Sequence, residues 1–177
     1  MQKYYLILVL ILTFSCSQKQ SDHRITEFEK VLGKRQTKAL NILVSDFEKN
    51  LAKIYPDLSI EQGYRKYLND LISDSTTDWG KFKFQSDKTN QEFHQSGLWS
   101  EIYSRGPKEG LVINNVGKYI QALYAVKDSD SLIKKYSEIR EAAGMMPNEL
   151  VVPGILSFNP DFNDYFHKRI VVVEFSF

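Results

Sequence analysis

Apolar residues recur every three or four positions over most of the chain, which is the periodicity of amphipathic helices. The first such stretch begins at Ile25 and continues to Ile54. Gly33 interrupts it with a residue that favours turns over helix interiors. The stretch ends at Tyr55, because the residue before a proline is disfavoured in the helical conformation. We therefore predict one long helix over 25–54, or two helices separated at Gly33.

Two polar pairs mark the starts of further helices. Ser59 and Gln62 have the spacing of a capping box, and so do Thr89 and Glu92. The first pair predicts a helix with an apolar face through residue 72. The second predicts a helix through residue 103 that stops at Gly106, where glycine and the proline that follows end helices.

The C-terminal half continues the helical pattern in shorter pieces. Apolar positions predict helices over 116–126 and 132–143, the second of them closed by Gly144. Prolines at 147, 153 and 160 divide the remainder, and they favour short helices over 148–152 and 161–168.

Two segments favour extended structure. Residues 81–85 alternate between apolar and polar side chains, and residues 170–176 are rich in β-branched and aromatic residues. We expect these segments to pair as a short two-stranded β element, with a buried helix as the alternative for the second. The predicted fold class is mainly α: an irregular bundle of five to seven helices, with no repeat of the tetratricopeptide kind.

The N-terminus has the organisation of a secretory signal. Lys3 supplies a positive charge, the eleven residues 4–14 are apolar, and Ser15 is the small residue before the only cysteine, Cys16. The segment resembles a bacterial lipoprotein signal peptide with its lipobox. An apolar run of this length falls short of the ~20 residues that span a bilayer. An ordinary signal peptide cut at Ser15 or Ser17 is the alternative.

The resemblance implies an address and an anchor. Cys16 would become the mature N-terminus and carry a diacylglycerol and an N-acyl chain, such as palmitate. Two or more acyl chains give stable membrane attachment, whereas one gives marginal binding. By resemblance to Gram-negative sorting, Ser17 after the cysteine favours the outer membrane, facing the periplasm. The predicted organisation is a signal peptide over 1–15, a lipidated tether over 16–24 and one helical domain over 25–177.

Composition narrows the classes of partner. The full chain has 23 basic and 22 acidic residues, so removal of Lys3 leaves 22 of each. A neutral balance argues against nucleic acid, which needs a basic surface. The expected partners are the membrane, through Cys16, and an envelope protein or glycan. A single cysteine allows no disulfide within the chain, so packing alone must hold the fold.

No catalytic or metal-binding motif stands out. His23, His94 and His167 lack the spacing of paired ligands on one helix, and the sequence has no HExxH, GxSxG or phosphate-binding loop. Carboxylate pairs such as Asp128 and Asp130 lie at predicted helix starts, where they stabilise the positive helix end. We expect no metal and no cofactor.

The least ordinary segment is a cluster of aromatic residues near basic ones. Trp79, Phe82, Trp99 and Tyr103 could line a groove for a sugar or a peptide. The alternative is that they are buried to close one end of the bundle, which is the commoner fate of aromatic side chains.

The sequence thus favours a lipid-anchored envelope protein with a binding or scaffolding role and no catalysis. Two other hypotheses remain at this point. One is an envelope hydrolase whose site assembles from dispersed residues. The other is an immunity-type inhibitor of a periplasmic toxin.

Overall fold

A computed structural model describes residues 22–73, 85–106, 110–144 and 146–175. Within these ranges the fold is mostly helical, as predicted, with nine α-helices and one small antiparallel sheet. The elements, in order, are α1 His23–Leu32, α2 Lys34–Ile54, α3 Ile60–Ser73, α4 Asp87–Gln95, α5 Leu98–Ile102, β1 Tyr103–Arg105, β2 Leu111–Ile113, α6 Lys118–Val126, α7 Ser131–Ala143, α8 Asn148–Ser157 and α9 Tyr165–Phe175.

The first predicted helix is divided at Gly33, which confirms the break. Gly33 has a φ of 97°, a value that L side chains rarely adopt, so the chain changes direction there between α1 and α2. Asp22 caps α1 by accepting a hydrogen bond of 2.9 Å from Arg24 N–H. α1 therefore begins two residues before the predicted start, and α2 ends against Tyr55 as predicted.

The capping box at the start of α3 is confirmed. Ser59 N–H donates to Gln62 Oε1 at 3.0 Å, and Gln62 N–H donates to Ser59 Oγ at 3.3 Å. The second predicted box is wrong, because Ser86 caps α4 and its Oγ accepts from Thr89 N–H at 3.2 Å. Thr89 is buried within the first turn, where its hydroxyl donates to Asp46 of α2.

The helix predicted to run to Gly106 ends earlier. Gly97 has a φ of 79° and separates α4 from the short helix α5, and the chain then enters β1. Gly106 lies beyond this strand, and Tyr103 is the first strand residue. The splits at Gly33 and Gly97 explain why the helices outnumber the prediction.

The two-stranded sheet exists, but its predicted position is wrong. β1 pairs with β2, and Tyr103 is opposite Ile113. Residues 170–175 belong to α9 and therefore form no strand. Of the other predicted strand, residues 81–84 lie outside the described residues.

α9 is the central helix of the bundle. Four consecutive residues, Ile170 to Val173, are fully buried, so this helix is covered on all sides. A helix segment covered on all sides has a run of consecutive apolar residues, which in sequence resembles a buried strand. Its β-branched run suggested a strand because these residues favour sheets. Burial within the bundle overrides that modest preference.

A cluster of aromatic rings joins α9 to the N-terminal helices. Phe28 of α1 contacts Phe166 and Tyr165 of α9, with ring centroids 5.5 and 6.0 Å apart. Tyr119 of α6 contacts Phe28 edge-to-face, with ring centroids 6.2 Å apart. Such edge contacts add to the hydrophobic stabilisation of the core.

Gly117, just before α6, is required by a close backbone approach. A Cβ atom at this position would overlap the carbonyl oxygen of Glu101. The Glu101 side chain then accepts a hydrogen bond of 2.8 Å from Lys118 N–H, which supplies the cap that glycine lacks. The predicted helix over 116–126 is therefore present, but it begins after Gly117.

Candidate functional site

A groove lies between α7 and α8, with a volume of about 340 Å³. Its wall is almost entirely apolar. The groove is lined by Leu132, Lys135, Tyr136, Ile139, Arg140, Met146, Leu150, Val151, Gly154, Ile155, Ser157 and Phe158.

α7 forms one wall of the groove, and both of its ends are capped. Asp130 caps its start by accepting from Leu132 and Ile133 N–H at 2.8 and 3.0 Å. Gly144, with a φ of 63°, ends it as predicted. The groove residues of α7 lie three or four positions apart, which places them on one side of the helix.

α8 forms the other wall and turns apolar side chains outward. Leu150 is 63% exposed and Phe158 is 38% exposed, and both line the groove. Pro153 lies inside this helix, so the predicted break at that residue is wrong. Proline removes the hydrogen bond to the carbonyl of Glu149, but both residues are exposed, and water can bind that carbonyl.

Gly154 widens the groove at the middle of α8. A Cβ atom added there would meet nothing within 4 Å, so packing within the described residues does not require glycine. Alanine would stabilise a helix interior by about 1 kcal/mol relative to glycine. The glycine thus leaves open space in the groove at a cost in stability.

A buried ion pair between Arg140 and Glu174 supports the wall of the groove. The side chains of Arg140 and Glu174 are 1% and 3% exposed, and they form a direct salt bridge between α7 and α9. Tyr136 O–H donates to Glu174 Oε2 at 3.0 Å, and Arg140 also donates to the carbonyl of Gly144. Burial raises the pKa of Tyr136. These contacts hold the two groove residues Tyr136 and Arg140 in place.

The charge balance of the groove follows from this pair. Glu174 neutralises Arg140, so among the described residues that line the groove Lys135 carries the charge with the weakest pairing. Its Nζ lies 4.0 Å from Glu138, and its side chain is 53% exposed. An exposed pair at that distance contributes little. The groove can therefore bind an apolar body beside a cation.

His167 lies beside a carboxylate, and its contacts are structural. Its Nε2 lies 3.2 Å from Asp130 Oδ2, and its Nδ1 accepts from Asp161 N–H at 3.0 Å. Both ring nitrogens are therefore used to join α7 to the start of α9. Burial would raise the pKa of Asp130, but hydrogen bonds from Ile133 N–H and the neighbouring His167 lower it overall.

Of the four residues predicted to form an aromatic groove, Trp99 and Tyr103 are in contact among the described residues, with ring centroids 6.0 Å apart. Trp79 and Phe82 lie outside the described residues, as does Cys16. Tyr103 is 2% exposed, and its O–H donates to Val173 carbonyl oxygen at 2.5 Å, so it is a core residue. Trp99 is half-buried and stacks on the exposed ring of His94 at 5.8 Å.

Sequence reasoning missed the groove between α7 and α8. Its residues are ordinary apolar ones from 132–158, and spacing alone does not show which apolar side chains stay exposed. The usable signal was glycine within the apolar run 150–156. Interpreting Pro153 as a helix end concealed that signal.

In the described residues, no three histidine, cysteine, aspartate or glutamate side chains lie close enough together to hold a metal ion. None of the helices described is both long and apolar enough to cross a membrane. The chain matches no family model, no curated protein and no solved structure.

Proposed function

We propose that this protein is a lipid-anchored component of the bacterial envelope that binds a small apolar ligand between α7 and α8, without catalysis. The observation that carries the proposal is the open apolar groove with its exposed Leu150 and Phe158. Exposed apolar side chains that converge on one cavity are typical of binding sites.

The size of the groove favours a small molecule over a protein partner. Its 340 Å³ lies within the range of roughly 300–1,000 Å³ usual for ligand pockets. Twelve residues line it, whereas each side of a stable protein interface uses about 20–30. A protein partner would therefore need a larger contact surface than the groove provides.

The expected anchor at Cys16 would keep the groove near a membrane. Five residues lie between Cys16 and Asp22, so even a fully extended chain of six residue steps spans at most about 20 Å. The start of α1 joins the start of α9 through Arg24 and Asp164, 3.4 Å apart. The contact of His167 with Asp130 then joins α9 to the start of α7. These contacts connect the start of α1, where the proposed tether would attach, to the start of α7, which lines the groove.

Binding can be tested with a neutral fluorescent naphthylamine probe and the variant Gly154→Leu. Leucine favours the helix and fills open space, so we expect normal folding and at least a tenfold loss of probe affinity. Gly110→Leu is the matched control, since a Cβ there also meets nothing within 4 Å and Gly110 is remote from the lining. Equal probe affinity in the two folded variants would refute the groove as the binding site.

Anchoring requires a separate test in a Gram-negative host. We expect the wild-type chain to incorporate labelled palmitate and to partition into the detergent phase. Cys16→Ala should lose the label and partition into water, while Ser17→Ala should behave as wild type in both measurements. Failure of the wild-type chain to take up the label would refute the anchor without bearing on the groove.

A further inference from the structure

We infer that the ligand of this groove is a single-chain anionic amphiphile: a hydrocarbon chain with a carboxylate at one end. This inference rests on the proposed function and adds the chemical class of the ligand. It follows from the apolar wall, the half-exposed and weakly paired Lys135 beside it, and the buried ion pair of Arg140 and Glu174.

The apolar wall selects a hydrocarbon chain. Leu132, Ile139 and Val151 offer no hydrogen-bond donor or acceptor from their side chains, and the wall is almost free of polar surface. A polar group of a ligand buried against such a wall would lose its water without gaining a partner, at a cost in affinity. A hydrocarbon chain has nothing to lose in that way and gains from leaving water.

The polar network beneath the wall gives the ligand no second anchor. Tyr136 already donates to Glu174, and the guanidinium of Arg140 is neutralised by the same carboxylate. Arg140 Nε has no hydrogen-bond partner among the described residues, but the side chain is wholly buried. The head group must therefore lie at the mouth of the groove and not at its base.

Lys135 fixes the sign of that head group. Lys135 lines the groove and its side chain is half-exposed, which allows the ammonium to stay in water while the aliphatic stem covers apolar surface. Lys134, the preceding residue, pairs with Asp128 at 3.4 Å and does not line the groove. The mouth thus offers one positive charge to a ligand, and a carboxylate satisfies it.

The test is competition against the neutral probe by three amphiphiles of equal chain length: dodecanoic acid, dodecanol and dodecylamine, at pH 8 and low salt. In the wild-type protein we expect the acid to bind about three- to tenfold more tightly than the alcohol, as for a partly exposed charged pair. The amine should bind most weakly. High salt should reduce the preference, because the pair is exposed to solvent.

Two matched variants locate the preference. Lys135→Gln should make the acid and the alcohol bind equally, with the affinity for the alcohol unchanged. Lys134→Gln should keep the wild-type preference. Equal binding of acid and alcohol by the wild-type protein, or a preference that survives Lys135→Gln, would overturn the inference while leaving groove binding intact. Absence of probe binding by the wild-type protein would instead refute the proposed function, and the ligand class with it.

Discussion

The buried pair of Arg140 and Glu174 gives the sharpest prediction about how this domain is held together. Three variants test it: Arg140→Met, Glu174→Gln and the double variant. Methionine retains the unbranched stem and helix preference of arginine without its charge. Glutamine retains an acceptor for the hydroxyl of Tyr136, so that contact survives the change.

The magnitudes follow from what each variant leaves behind. Glu174→Gln leaves the guanidinium of Arg140, 1% exposed, without a counter-ion and with the Gly144 carbonyl as its main acceptor. Arg140→Met leaves a carboxylate, 3% exposed, with one donor from Tyr136. An uncompensated buried charge costs about 3–5 kcal/mol, so each single variant should lose that much stability. The double variant buries no charge and should lie within about 2 kcal/mol of the wild type.

Urea unfolding, followed by circular dichroism, measures these differences as shifts of the midpoint at constant slope. The double-mutant cycle should give an interaction energy of at least ~3 kcal/mol, because removing the second charge restores most of what removing the first one cost. Additive effects of the two changes, each below ~1 kcal/mol, would show that water reaches the pair and that it does not support the groove.

Two further predictions concern the bundle outside the groove. Asp46→Asn should lower the free energy of unfolding by about 1–2 kcal/mol at pH 7, because hydrogen bonds to the carboxylate are weakened. Burial raises the pKa of the Asp46 carboxyl, but hydrogen bonds from the start of α4, including one of 2.8 Å from Ser86 Oγ, lower it overall below its usual 3.8. The stabilisation by the Asp46 carboxylate is present above pH 3.8 and is lost as the pH falls through the lower folded pKa. The urea midpoints of wild type and variant should therefore converge in acid. A difference between the midpoints that persists in acid would contradict the assignment. Gly117→Ala should lower the free energy of unfolding by about 3 kcal/mol through overlap with Glu101, whereas Gly97→Ala, with a positive φ but room for a Cβ, should cost about 1 kcal/mol; equal losses would refute the steric argument.

The helix boundaries that could be predicted are those fixed by contacts between near neighbours in sequence. The capping box of Ser59 and Gln62 and the glycines at 33 and 144 act within one turn of the chain. The failures involve partners distant in sequence. Thr89 was assigned as a cap, but Asp46, 43 residues away, accepts its hydroxyl hydrogen bond and leaves the cap to Ser86.

The prediction for the C-terminal helix α9 was limited in the same way, here by packing partners that are distant in sequence. A run of β-branched residues is compatible with a buried strand or a buried helix, and only the surrounding elements decide between them. Around α9 they supply side-chain partners for a helix: Asn41 of α2 binds Arg169, and Arg140 of α7 binds Glu174. Neither partner lies near α9 in sequence, so no local pattern could have indicated them.

The aromatic residues did not point to the groove between α7 and α8, because the sequence does not distinguish a core ring from a surface ring. Tyr103 illustrates this, since its hydroxyl finds a backbone acceptor on α9 inside the core. The groove was hidden for the opposite reason. Leu150 and Phe158 fit an amphipathic helix, and only the position of α8 relative to α7 leaves them exposed.

The groove is better explained by binding than by incomplete packing. Three separate features of α8 act against stability and meet at one place: Leu150 and Phe158 expose apolar surface, and Gly154 weakens a helix where a Cβ would fit. Each could be removed by a single substitution without a clash, and such removals are among the common ways to stabilise a protein. Their convergence beside Lys135 and the buried ion pair of Arg140 and Glu174 leaves a cavity suited to a hydrocarbon chain with its charge at the mouth.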